Sequence, residues 1–123
     1  MGIARIQRVT IPVTDQALAL AFYTRQLGLS LLADRPTPMA NGARWLEVGV
    51  KGSAPVLVLA NWTQMRPGSV RGLMLQSDAL EDDCARLREG GVVVEGPKDM
   101  PWGRQAVVLD PDGNQIVLMA LPS

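Results

Sequence analysis

From Arg5 to Val13 the chain alternates, with Val9, Ile11 and Val13 on one side and Arg8, Thr10 and Pro12 on the other, the period-two signature of a strand. Either Thr14 or Asp15 then caps a helix through ALALAFYTRQL, where Leu18 and Phe22, with Ala21 and Arg25, recur at helical spacing until Gly28 stops it. There follow LSLL, a Pro-rich loop around Pro36 and Pro38, the strand ARWLEVGV, a turn at Lys51-Gly52-Ser53 and the strand PVLVLA. The order is strand, helix, three strands.

The second half repeats it. Gly72 to Gln76 reads as a short strand, and Ser77 or Asp78 caps a helix that ends at Gly90-Gly91. VVVE comes next, a Pro/Gly loop leads into RQAVVLD, and the DPDG turn leads into QIVLMA. Asp15 and Gly28 stand thirteen apart, as do Asp78 and Gly91, which points to a duplicated unit. The expected fold is α+β: two βαβββ modules, about residues 1–61 and 70–123, joined by a linker at about 62–69. Each module would make a cupped, mostly antiparallel sheet with its helix on the outer face. The two faces left uncovered, side by side, would curl into a half-open trough where function would sit.

At 123 residues the chain has the size of one domain with one core. Twelve basic and twelve acidic side chains cancel, so charge points neither to nucleic acid nor to an anionic membrane. No apolar run reaches membrane-spanning length and MGIARIQRV lacks a signal-peptide layout, so a cytoplasmic location is expected. Cys84 is the single cysteine, which excludes an intrachain disulfide, and it reads as a half-buried helix residue. Asn61-Trp62-Thr63 has the form of a glycosylation acceptor and is taken as coincidence. The absence of histidine removes the commonest metal ligand and the commonest general base.

The stretches VTIPVTDQALALAFYTRQLGL and RWLEVG, together with the PWG plus DPDGNQIVL ending, resemble the vicinal oxygen chelate superfamily, which includes glyoxalase I, extradiol dioxygenases and bleomycin-resistance proteins. The resemblance spans essentially the whole chain. It implies paired βαβββ modules (the glyoxalase/bleomycin-resistance/dioxygenase fold) and commonly a dimer. The superfamily's metal enzymes draw ligands from the first and last strand of each module. Those places fall here at Arg8, Val58, Gly72 and Val117, none of which can coordinate a divalent metal. Among the neighbours checked only Gln7 could. The expectation is a protein with neither metal nor cofactor, in which apolar wall replaces ligands.

Candidate contacts follow from strand alternation. Arg8 and Thr10 lie on the uncovered face of the first strand, and Trp45 and Glu47 share a face opposite Leu46 and Val48. Glu47 reads either as a salt-bridge partner, with Arg8 as one choice, or as a ligand contact. Val58, Met74, Gln76 and Val117 would also look into the trough, while Trp62 in the linker and Trp102 in the PWG loop would line its mouth or close the sheet ends. The acidic run Glu81 to Asp83 complements the second helix's dipole. Together these residues predict a metal-independent small-molecule binding protein that forms a homodimer. The alternatives are a lyase or isomerase using Glu47 as acid or base, and a non-catalytic dimerising subunit.

Overall fold

The computed structural model describes residues 2–121, which divide into two compact units between Pro67 and Gly68. In the first, strand β1 (Arg8–Pro12) leads through helix α1 (Gln16–Ala21) to β2 (Ser30–Pro36), β3 (Arg44–Gly49) and β4 (Val56–Ala60), in sheet order β1-β4-β3-β2. β1 runs parallel to β4, and the other pairs are antiparallel. The Asp15 carboxylate caps α1 by accepting from Leu18 N–H at 3.1 Å.

After Ala21 the helix widens into a π turn over Phe22–Gln26, in which Leu27 N–H reaches Phe22 O at 2.9 Å, five residues back. Ala19, Phe22 and Tyr23 are buried, and the last two meet edge to face at 5.0 Å, whereas Leu18, which the helical spacing places inward, is 59% exposed. Ala19, Phe22 and Tyr23 stand at i, i+3 and i+4, so the three share the face turned to the sheet. Beneath them lie Ile11, Leu46, Val48, Leu57 and Leu59, the inward set of the sheet.

The second unit repeats the plan with β5 (Leu73–Ser77), α2 (Leu80–Glu89), β6 (Val94–Met100), β7 (Gly103–Leu109) and β8 (Gln115–Ala120), in sheet order β5-β8-β7-β6. Again the first and last strands are parallel. α2 buries Leu80, Cys84 and Leu87 towards Ala106, Val108, Ile116 and Leu118. Cys84 is fully enclosed rather than half-buried, and that burial pushes its thiol pKa up. Ser77 accepts from Ala79 N–H at 3.0 Å and donates to Asp83 at 2.5 Å, securing the start of α2. The DPDG turn is tied down from within: Asp110 Oδ1 accepts from Asp112 and Asn114 N–H, and Asn114 Oδ1 accepts from Val70 N–H at 3.1 Å.

Two segments expected as loops are strand. β2 continues to Pro36 and β6 runs through Gly96-Pro97. Both are edge strands, where a proline's missing N–H faces no partner, and both carry a register shift, between Leu31 and Ala33 and between Glu95 and Lys98. Gly96 permits the second bulge, because its φ is +98° and a Cβ there would lie 3.0 Å from Gln105 O.

Candidate functional site

Strand register sorts the side chains on the face of each sheet away from its helix. In the first sheet Arg8 pairs with Val56, Thr10 with Val58, Val58 with Glu47 and Trp45 with Arg35, so these residues share that open face. Its centre is polar and locked. Glu47 Oε2 accepts from Trp45 Nε1–H at 2.6 Å and from Arg8 Nε–H at 2.9 Å. Arg8 therefore forms the salt bridge that was one of the two readings of Glu47, and its remaining guanidinium reaches the Gln7 amide. The Trp45 hydrogen bond, then Arg8 and the charge of Arg35, hold the Glu47 carboxyl below its ordinary value of 4.5 and outweigh the upward pull of burial.

Trp45 and Trp62 stack with ring centroids 5.8 Å apart and planes 26° from parallel. Arg35 lies over the Trp45 ring at 5.8 Å. Val58, 2% exposed, forms the floor. A cavity of about 370 Å³ opens on this face between Arg8, Leu32, Glu47 and Val56, bounded by Arg5 and Gln7.

The second sheet's open face has different chemistry. Met74 pairs with Val117 and Val117 with Val107; in the next row Gln76 pairs with Met119 and Met119 with Gln105. Val117 is 8% exposed, but Met74 is 58% exposed and Trp102 61%. The Trp102 indole N–H donates to Gln105 Oε1 at 2.8 Å. A cavity of about 590 Å³ lies among Gln76, Met100, Trp102, Met119 and Leu121.

The four places that the resemblance assigns to metal ligands hold other chemistry in this structure. Arg8 is engaged with a carboxylate, Val58 and Val117 present methyl groups, and Gly72 precedes β5 with φ +82° and no side chain. Guanidinium and hydrocarbon supply no lone pair to a divalent cation, so these residues do not fit a metal. A third cavity, about 610 Å³, lies on the helix side of the first sheet. Its Gln16 side chain is spent on clamping the strands, donating to Arg44 O and Leu59 O and accepting from Arg44 N–H.

The sequence picked out Arg8, Thr10, Trp45, Glu47 and Val58 on one sheet and Met74, Gln76, Trp102 and Val117 on the other. It missed Arg35 and Gln105, whose partners depend on cross-strand register. Trp62, read as a linker residue, belongs structurally to the first unit through its stack on Trp45.

Two βαβββ units with mixed four-stranded sheets and an uncovered face apiece define the vicinal oxygen chelate architecture. The chain belongs to the Glyoxalase/Bleomycin resistance protein/Dioxygenase superfamily, whose sequence pattern matches residues 5–118. Among solved structures it is similar to TnmS3, an antibiotic binding protein from Streptomyces sp. CB03234, with 50% identity over 100% of this chain and 99% of that one and a TM-score of 0.92. It is also similar to a glyoxalase/bleomycin resistance protein from the same Streptomyces sp. CB03234, with 49% identity over 94% of this chain and 99% of that one and a TM-score of 0.83. The protein YetH of Bacillus subtilis (strain 168) is 32% identical over 120 residues, covering 94% of this chain and 98% of its own. Among the described residues no helix is long and apolar enough to cross a membrane.

Proposed function

We propose that the protein is a metal-independent binder of small molecules, an antibiotic or metabolite, that holds its ligand against the open sheet faces. The observation that carries this reading is the locked state of Glu47. A group that moves protons works best with a pKa near the operating pH, yet two donors converge on one Glu47 oxygen and hold the carboxyl below its ordinary value. That favours a fixed acceptor over an acid or base, and so favours binding over a lyase or isomerase role. Similarity to an antibiotic binding protein at 50% identity supports a ligand of the same broad kind. In this reading Val58 and Val117 are apolar wall, Met74 adapts to ligand shape, Thr10 and Gln76 offer polar contacts, and Trp45, Trp62 and Trp102 supply flat area.

The test is a thermal-shift screen of antibiotics and metabolites on the purified protein, with and without nickel, zinc, manganese or iron(II). Stabilising hits whose affinity is indifferent to metal support the proposal. Stoichiometric metal binding, or turnover of a hit that Glu47→Gln abolishes, would overturn it. We further propose that the protein acts as a homodimer in the cytoplasm. β1 and β5 are edge strands of their sheets, and Ile3, Ile6, Leu18, Met74 and Trp102 are each more than half exposed, liabilities that self-association would cover. Light scattering coupled to gel filtration is expected to give twice the 13.2 kDa chain mass; a monomer across micromolar concentrations refutes the dimer.

A further inference from the structure

The chain has three asparagines, Asn41, Asn61 and Asn114, and the fold treats their side-chain amides differently. Asn114 is fully buried: its amide donates to Asp110 Oδ2 at 2.7 Å and accepts from Val70 N–H at 3.1 Å. The N–H of the next residue, Gln115, is also spent, donating to Val70 O at 3.0 Å. Asn61 is exposed but is followed by Trp62, a bulky residue stacked on Trp45.

Asn41 differs from both. It takes the second place in a tight turn from Ala40 to Ala43, closed by Ala43 N–H donating to Ala40 O at 3.2 Å. Gly42 takes the third place at φ +77°, the conformation that a type II turn demands there. Such a turn bonds its first and fourth residues and leaves the peptide between the second and third unpaired. Among the described residues the Asn41 carbonyl, the Asn41 side chain and the Gly42 N–H have no hydrogen-bond partner, and both residues are exposed. A Cβ at Gly42 would meet nothing within 4 Å, so the space around this peptide is open.

We propose that Asn41 is a site of spontaneous deamidation, through attack of the Gly42 backbone nitrogen on the Asn41 side-chain amide. The Gly42 nitrogen bonds to Asn41 Cγ, the Cγ–Nδ2 bond breaks, and ammonia departs with the proton that Gly42 gives up. Water then opens the cyclic imide. Cleavage of the newly formed bond yields aspartate, and cleavage of the original peptide bond yields isoaspartate, with side chain and main chain exchanged. The attack requires the Asn41–Gly42 peptide plane to rotate. Glycine permits this because it tolerates either sign of φ, and no hydrogen bond of that peptide opposes it. The related Asp112-Gly113 step is held in place, since Gly113 N–H donates to Asp110 O at 3.0 Å and Asp112 N–H to Asp110 Oδ1 at 2.9 Å. Either product adds a negative charge to the loop whose Gly42 borders, with Asp34 and Arg44, the cavity on the helix side of the first sheet. Isoaspartate also lengthens the main chain inside the turn, which loosens the bonds from Ala43 N–H to Ala40 O and from Thr37 N–H to Ala43 O.

The experiment holds the folded full chain in mildly alkaline buffer at physiological temperature and follows its peptides by mass spectrometry, with a protein-isoaspartate methyltransferase assay for the rearranged product. Asn41 is expected to convert about tenfold faster than Asn61, or more, while Asn114 and Asp112 stay unchanged. Gly42→Ala should slow the conversion about tenfold, because its methyl crowds the attacking nitrogen. Asn41→Gln keeps an amide but must close a larger ring, and should abolish the acidic species seen on ion exchange. In urea Asn114 should become reactive, since the fold alone protects it. If Asn41 stays intact in the folded protein while converting in urea, the turn shields the amide and the proposal fails. It fails equally if Asn41 converts in neither state, if Asn61 or Asn114 converts first in the folded chain, or if the acidic species persists in Asn41→Gln.

Discussion

The open faces of the two sheets are built on the same lattice and hold opposite chemistry. Where the first has Arg8, Thr10, Trp45, Glu47 and Val58, register places Gly72, Met74, Gln105, Val107 and Val117 in the second. One face ties a guanidinium, a carboxylate and an indole into a chain of hydrogen bonds over a 2% exposed valine; the other carries no charge at these positions and leaves Met74 58% exposed. The two units thus share backbone pairing while the side chains on their uncovered faces differ. The covered faces, which must pack against a helix, are apolar in both units.

The largest test of this contrast introduces a carboxylate into each wall. Val117→Glu is expected to destabilise the fold by about 3 kcal/mol or more, because no cation stands at its neighbouring open-face positions Met74 and Val107. Val58→Glu should cost more still, since it sets a second carboxylate directly opposite Glu47, whose cation Arg8 is already engaged. Urea unfolding measures both, and equal losses would remove the electrostatic distinction between the faces. Next comes the bulge. Gly96→Ala forces a Cβ to 3.0 Å from Gln105 O at φ +98° and should cost about 2 kcal/mol, while Leu32→Ala at the corresponding bulge of β2 meets no such backbone and should cost under about 1 kcal/mol.

A smaller effect is expected from Glu47→Gln, about 1 kcal/mol at neutral pH, and it sharpens the comparison through its pH dependence. Because the folded pKa is lowered, the unfolded chain takes up the proton first as pH falls. The stability Glu47 provides is therefore complete above its ordinary value of 4.5 and is lost as pH drops through its lower folded value. The gap between parent and variant should narrow along that acid limb; a gap independent of pH would refute the charge-based account. The smallest effect belongs to the second face. Trp102→Phe removes only the hydrogen bond to Gln105 from a side chain 61% exposed, and thermal unfolding should register under about 0.5 kcal/mol.

Much of the architecture was legible because periodicity and punctuation carry it. Val9, Ile11 and Val13 announce a strand, Asp15 and Gly28 bracket a helix, and the DPDGN turn announces the last strand. The site was legible as far as alternation reaches: Trp45 with Glu47, and Arg8 with Thr10. The buried face of the first helix was not, because α spacing from Phe22 is met equally by Leu18 and by Ala19 with Tyr23, and nothing local chooses between them; nor does the local sequence mark the π turn at Phe22–Gln26. The strands through Pro36 and Gly96-Pro97 were hidden for a related reason: proline and glycine read as breakers until one knows they lie at a sheet edge.

The sequence by itself determined the βαβββ repeat, the covered and uncovered sides of each strand, and the lack of metal donors at Arg8, Val58, Gly72 and Val117, because these depend on residue type and on spacing within one element. Tertiary structure decided what those side chains do. The Arg8–Glu47 bond joins residues 39 apart, the Trp45–Trp62 stack joins a strand to the segment after the next strand, and Arg35 reaches Trp45 only through the β2–β3 register. Alternation assigns a side chain to a face, but distance, partner and pKa come from residues that the fold alone brings within a few ångströms.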